Sequence, residues 1–203
     1  MTIANKEEAF QMMRLATLVM LAVVLGFSDN YEFSLREYID GKETLIATDN
    51  NRLGDYIDLS SYQSWDGIFL NFGYKKSYGS KVEAGIEDRF NSSYRNGFID
   101  LSRTILTLDN DVKITLKWED ISRGSGKNAR CSRLSSCATA QFEYGTTFIK
   151  LSDLEKIANA TNVQVTIVGA RQSITLAGFN IDKNFIHRTR EFLEMVKLER
   201  NKK

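Results

Sequence analysis

Hydrophobic and polar positions alternate at period two through most of the chain after residue 31, then change to helical spacing near the C-terminus. "YEFSLREYID" alternates loosely, with Phe33 and Leu35 on one side. A turn at Gly41 leads to Leu45 and Ile46, and "TDNNRLGD" is a turn cluster. "YIDLSSYQSWDG" reads as a short strand and a polar aromatic loop. "GIFLNFGY" places Ile68, Leu70, Phe72 and Tyr74 on one face, and "KVEAGIED" repeats the alternation with Val82, Ala84 and Ile86. The linker "KKSYGS" suits a hairpin turn, with Gly79 free to adopt positive φ.

The sharpest strand pair is "TILTL", a turn at Asp109-Asn110-Asp111, and "VKITLKWE". In the second strand Val112, Ile114, Leu116 and Trp118 alternate with Lys113, Thr115, Lys117 and Glu119. One apolar face and one charged face predict an antiparallel sheet with one solvated side. The stretch 120–138 shows no period and reads as a long loop, a type that is usually functional or flexible. "AQFEYGTTFIKL" is another strand region.

In "LSDLEKIANA", Ser152-x-x-Glu155 has the form of a capping box opening a short helix. "VQVTIV" and "SITLAGF" then form two strands around a turn at Gly169 to Gln172. Ile181, Phe185, Thr189, Phe192 and Val196 fall at helical spacing, widened by Ile186 and Leu193. The fold class predicted for residues 29–203 is a single α+β domain. It is mainly antiparallel sheet, sandwich-like or curved, with a short helix and a longer amphipathic C-terminal helix. The order "TTFIKLSDLEKIANATNVQVTIVG…FNIDKNFIHRTREFLEMV" resembles the C-terminal part of small exported bacterial proteins of uncharacterised function. The resemblance covers about the last quarter of the chain. It implies this strand-helix order and export, and it assigns no catalytic residue.

The N-terminus points the same way. Arg14 precedes an apolar run from Leu15 to Leu25, and Gly26 and Ser28 give a small-x-small pair before Asp29. That is the layout of a secretory signal peptide, so residues 1–28 are expected to direct export to the periplasm or beyond. Glu7 and Glu8 are untidy in the basic region, and a start at Met12 fits better. The run falls short of the roughly 20 residues of a spanning helix. No second such run follows, so no membrane span is expected in the mature chain. Removing 1–28 takes away Lys6, Arg14, Glu7 and Glu8 and leaves the net charge at +1. A near-neutral balance argues against nucleic acid as a partner.

The stretch "RGSGKNARCSRLSSC" carries the strongest functional look. Its GSGK is not a phosphate loop: the glycine required earlier is Ile121, and Asn128 replaces the Ser or Thr after the lysine. Cys131 and Cys137 cannot close a tetrahedral zinc site alone, and His187 sits on the C-terminal helix, so no metal or cofactor is expected. In an exported chain the pair predicts a disulfide, contributing about 2–3 kcal/mol in the loop-entropy model. Arg123, Lys127, Arg130 and Arg133 contain no acid among them and form a candidate anion- or partner-binding set. Tyr62, Trp65 and Tyr78 are a candidate aromatic ligand surface. Glu83, Glu87, Asp88, Glu119 and Asp120 are present, but their spacing singles out no catalytic pair. With one histidine and no GxSxG turn, a nucleophile-base system is hard to build. The expectation is a non-catalytic binding or structural component of the cell envelope, with a protein or glycan partner. The alternatives are an envelope hydrolase using acidic residues and an anion-binding module built on residues 123–133.

Overall fold

The computed structural model describes residues 33–40, 43–54, 67–91, 97–109, 111–127 and 139–202. The predicted signal segment, Tyr62, Trp65, Arg130, Arg133, Cys131 and Cys137 lie outside the described residues. So does the second half of the predicted 120–138 loop, from residue 128 on.

The chain runs β1 (Ser34–Asp40), β2 (Glu43–Asp49), β3 (Arg52–Gly54), β4 (Gly67–Lys75), β5 (Lys81–Asn91), β6 (Leu101–Leu108), β7 (Val112–Lys117), β8 (Glu119–Lys127) and β9 (Thr139–Lys150). Then come α1 (Leu151–Asn159), β10 (Val163–Gly169), β11 (Ser173–Leu176) and α2 (Phe185–Asn201). The described fold is α+β and mostly antiparallel sheet, as the alternation predicts. A large sheet has the order β1-β2-β4-β5-β9-β8, with β3 also paired to β4. A smaller sheet has the order β11-β10-β6-β7. No helix among the described residues is long and apolar enough to cross a membrane.

The two hairpins with clear patterns form as expected. β4 and β5 join through a single turn of 3-10 helix at Lys76–Tyr78, and Gly79 has φ 64°. In the β6–β7 hairpin Leu108 pairs with Val112 and Leu106 with Ile114. Ile114, Leu116 and Trp118 are buried, while Val112 at the tip is exposed. The chain then changes sheets at Trp118. Its indole N–H donates to Thr104 Oγ1 at 2.9 Å, and Asp120 takes a positive φ of 47° as β8 joins β9. Strands that switch sheets through a bend or bulge make the corners of packed sheets.

The predicted 120–138 loop therefore begins later than its lack of period implies, since Glu119–Lys127 is a strand. The partner β9 dictates that strand, and a glycine makes it fit. Gly124 faces Phe142, whose ring occupies the place a Cβ there would take. The capping box does not form either. α1 starts one residue before Ser152, with Lys150 at its N-cap and no side-chain cap bond. α2 buries Phe185, Thr189, Phe192, Leu193 and Val196, matching the helical stripe. Ile181 falls before the helix and instead bridges to Gly54. Phe192 stacks on Phe72 of β4 at 5.7 Å, which seats α2 on the apolar face of the large sheet.

Candidate functional site

The alternation in β4 and β5 identifies their core face correctly: Ile68, Leu70, Phe72, Tyr74, Val82, Ala84 and Ile86 are all buried. The opposite face is buried as well, and it is polar. Antiparallel register puts Asn71 across from Gly85 and Gly73 across from Glu83. From β9 it puts Phe148 across from Glu83 and Tyr144 across from Glu87. Residues directly opposite share a face. Three strands thus gather Glu83, Glu87, Arg89 and Tyr144 over a floor that includes Gly73 and Gly85.

In one half of this face the charged groups are paired with each other. The Arg89 guanidinium donates to both Glu87 oxygens at 2.7 and 2.8 Å and to Asn50 Oδ1 at 3.0 Å. It also stacks on Phe69, 4.2 Å from the ring centre. Asn71 Oδ1 accepts the Asn51 amide at 2.9 Å. A bidentate, stacked arginine is a rigid element, because both contacts hold the same plane.

The other half is not satisfied. Glu83 is only 9% exposed, and its Oε2 has no hydrogen-bond partner. That oxygen lies 4.0 Å from where a Cβ on Gly73 would stand. Burial, and secondly the charge of Asp120, pushes the Glu83 carboxyl up to about 7. The Tyr144 ring covers Gly85 so closely that an added Cβ would sit 2.7 Å from its hydroxyl. That hydroxyl is buried and unpartnered, and burial, then Glu83 and Glu87, raises its pKa. Tyr78 closes the third side. Its hydroxyl is also unpartnered, and burial, then Glu83 and Glu43, pushes it up to about 12. Its ring meets Phe148 edge to face at 5.4 Å. Phe148 is 38% exposed, so the rim of the group next to Glu83 reaches solvent. Buried polar groups are normally paired, which makes three together a specific feature.

The predicted residues distribute as follows. Tyr78, from the aromatic set, belongs to this site. Arg123, from the cationic set, is engaged elsewhere. It donates from Nε to Glu143 Oε1 at 3.0 Å and pairs with Asp100 at 2.6 Å. Glu143 is fully buried and also accepts the Asp100 and Leu101 amides at 3.1 and 3.0 Å. Arg171 pairs with Asp100 at 2.6 Å. This network ties β8 and β9 of the large sheet to the start of β6 in the smaller one. The backbone of Lys127 pairs with Thr139 at the end of β8. His187 is exposed on α2, 3.5 Å from Glu191. Among the described residues no three His, Cys, Asp or Glu side chains converge as a metal site.

A separate shallow cleft of about 450 Å³ lies where the α1–β10 turn meets the start of α2. Its acid, Asp182, already accepts the Asn184 amide at 2.8 Å and faces Arg188 at 3.8 Å. It lacks the unsatisfied groups found around Glu83. No protein-family model matches this chain, and neither a curated protein nor a solved structure is found similar to it.

Proposed function

We propose that the chain is an exported binding protein of the cell envelope, and that the polar group around Glu83 is where a small hydrogen-bonding ligand sits. One observation carries this reading: Glu83 Oε2 and the Tyr78 and Tyr144 hydroxyls are buried close together without hydrogen-bond partners. Each unpaired buried polar group costs about 1–3 kcal/mol. A ligand that donates to the carboxyl and bonds the two phenols, such as an amine or a polyol, recovers that cost. Gly73 places no side chain against the free oxygen of Glu83, and the Glu87–Arg89 pair stiffens one wall.

A thermal-shift panel of putrescine, choline, glucosamine and sorbitol tests the site. The expectation is stabilisation by at least one member, lost in Glu83→Ala and in the double variant Tyr78→Phe/Tyr144→Phe. Stabilisation that survives both variants places the ligand elsewhere and overturns the assignment. Export rests on the layout of residues 12–28. Intact mass of protein expressed with its native N-terminus should show loss of residues 1–28, with a mass two hydrogens below the reduced form for a Cys131–Cys137 disulfide. An uncleaved product would overturn export.

A hydrolytic reading draws on the same carboxylates, since Glu83 holds its proton while Glu87 is paired with Arg89. Their placement weighs against it. Four positions on one strand separate their Cα atoms by about 13 Å. The paired carboxyls of glycosidases stand roughly 5–10 Å apart. Glu87 is also committed to its arginine on both oxygens.

A further inference from the structure

The solvent face of the smaller sheet has an unusual charge distribution. Register places Arg103 directly opposite Lys117, and Thr107 opposite Lys113, on the face away from Leu106, Ile114 and Leu116. Arg103, Lys113 and Lys117 are all exposed. No outward position on β6, β7, β10 or β11 carries an Asp or Glu. None of the three cations has an ion-pair partner among the described residues, whereas Lys75, Arg89, Arg123, Arg171 and Lys202 each have one. Like charges directly opposite on antiparallel strands, with Cβ atoms about 5 Å apart, destabilise the pairing. This face thus carries three exposed cations and no acid to compensate them.

We infer that this face is a docking surface for an anionic polysaccharide. Charge complementarity supplies the attraction. Around Ile105, at the middle of this face, lie the hydroxyl and amide side chains Thr107, Thr115, Gln164 and Thr166, which suit the apolar ring faces and hydroxyls of a sugar polymer. Lys113 and Lys117 stand about 13 Å apart along the edge strand, a span that favours an extended chain over a single small anion. The face carries no aromatic ring on which nucleic-acid bases could stack. Three cations also fall below the clusters of roughly four to eight that bind anionic membranes. The surface is separate from the Glu83 group and does not depend on a ligand there.

The test measures binding of the full chain to dextran sulfate by fluorescence anisotropy, over a salt series. The variant Arg103→Gln/Lys113→Gln/Lys117→Gln should lose about tenfold in affinity with a melting temperature no lower than the wild type's, because exposed ionic contacts are individually weak but add and the Arg103–Lys117 repulsion is removed. A second variant, Lys127→Gln/Arg130→Gln/Arg133→Gln, should bind like the wild type. Retained affinity in the first variant, or loss confined to the second, overturns the inference. So does tighter binding to phosphatidylglycerol–phosphatidylcholine vesicles or to a single-stranded oligonucleotide than to dextran sulfate.

Discussion

Replacing Glu83 by Gln should stabilise the protein at neutral and alkaline pH while leaving it unchanged in acid. The carboxyl ordinarily titrates at 4.5, and its burial moves it up to about 7. In acid the group is protonated in both folded and unfolded chains, so it costs nothing. As pH rises past 4.5 the unfolded chain releases the proton and the folded chain keeps it, so stability falls. The fall ends just above 7, where both states are ionised. The difference of two to three pH units corresponds to about 3 kcal/mol. Glutamine has the shape of the protonated acid and no charge to desolvate. Thermal melts of both proteins across the acid-to-alkaline range should therefore coincide near pH 4. By about pH 8 they should diverge by roughly 6–12 °C in favour of the variant. Other carboxylates titrate equally in both proteins and cancel in the difference. Parallel curves, or a variant less stable throughout, would refute the desolvated, unpaired carboxyl on which the site rests.

Gly85→Ala should destabilise by about 1–3 kcal/mol in urea denaturation, because its Cβ meets Tyr144 at 2.7 to 3.2 Å; combining it with Tyr144→Ala should cost less than the sum of the two single changes. Thr104→Val keeps volume but strands the buried Trp118 indole N–H, and should cost about 1–3 kcal/mol by the same assay. Glu143→Ala should cost about 3–5 kcal/mol, since it leaves the Arg123 Nε–H and the Asp100 and Leu101 amides without their acceptor; a smaller loss than Thr104→Val would contradict the linking role of the network. Asp109→Ala should speed hydrogen exchange at the Thr161 and Asn162 amides, which both donate to Asp109 Oδ1 at 2.9 Å, without altering exchange in β9.

Period-two alternation is local information, and it was sufficient where one strand face meets solvent. The β6–β7 hairpin is such a case, with Lys113, Thr115 and Lys117 outward and Ile114 and Leu116 inward. β4 and β5 show the limit. Their pattern names the residues that share the core face, but it cannot say that the other face is buried too. β8 shows a second limit. "DISRGSGK" has no apolar period, so its strand character comes from its partner. Two of its positions answer to distant residues: Gly124 to the Phe142 ring and Arg123 to the buried Glu143. The basic look of the stretch is in part a structural pairing that only the register of β8 on β9 makes visible.

The Glu83 group needed the same long-range register. Glu83 and Tyr78 are close in sequence, but Tyr144 arrives from a strand sixty residues later, and only the β5–β9 pairing sets it beside them. A partial signal existed in "KVEAGIEDR". Two acids flank a glycine at period two, on the side opposite Val82, Ala84 and Ile86, in a strand pattern with no lysine or arginine alternating between them. A solvated strand face gains little from glycine, which weakens the strand and marks a close approach. Gly85 sits where the Tyr144 ring approaches, and Gly73 sits under the free oxygen of Glu83. The fold tolerates three unpaired polar groups at this point, at a cost in stability that a Gln at position 83 would lower. Under the proposed binding role, that cost is the free energy a ligand at Glu83 would recover, so stability without ligand and stabilisation by ligand draw on the same unpaired groups. The pH-dependent gain expected from Glu83→Gln and the loss of ligand stabilisation expected from Glu83→Ala are two readouts of that one competition.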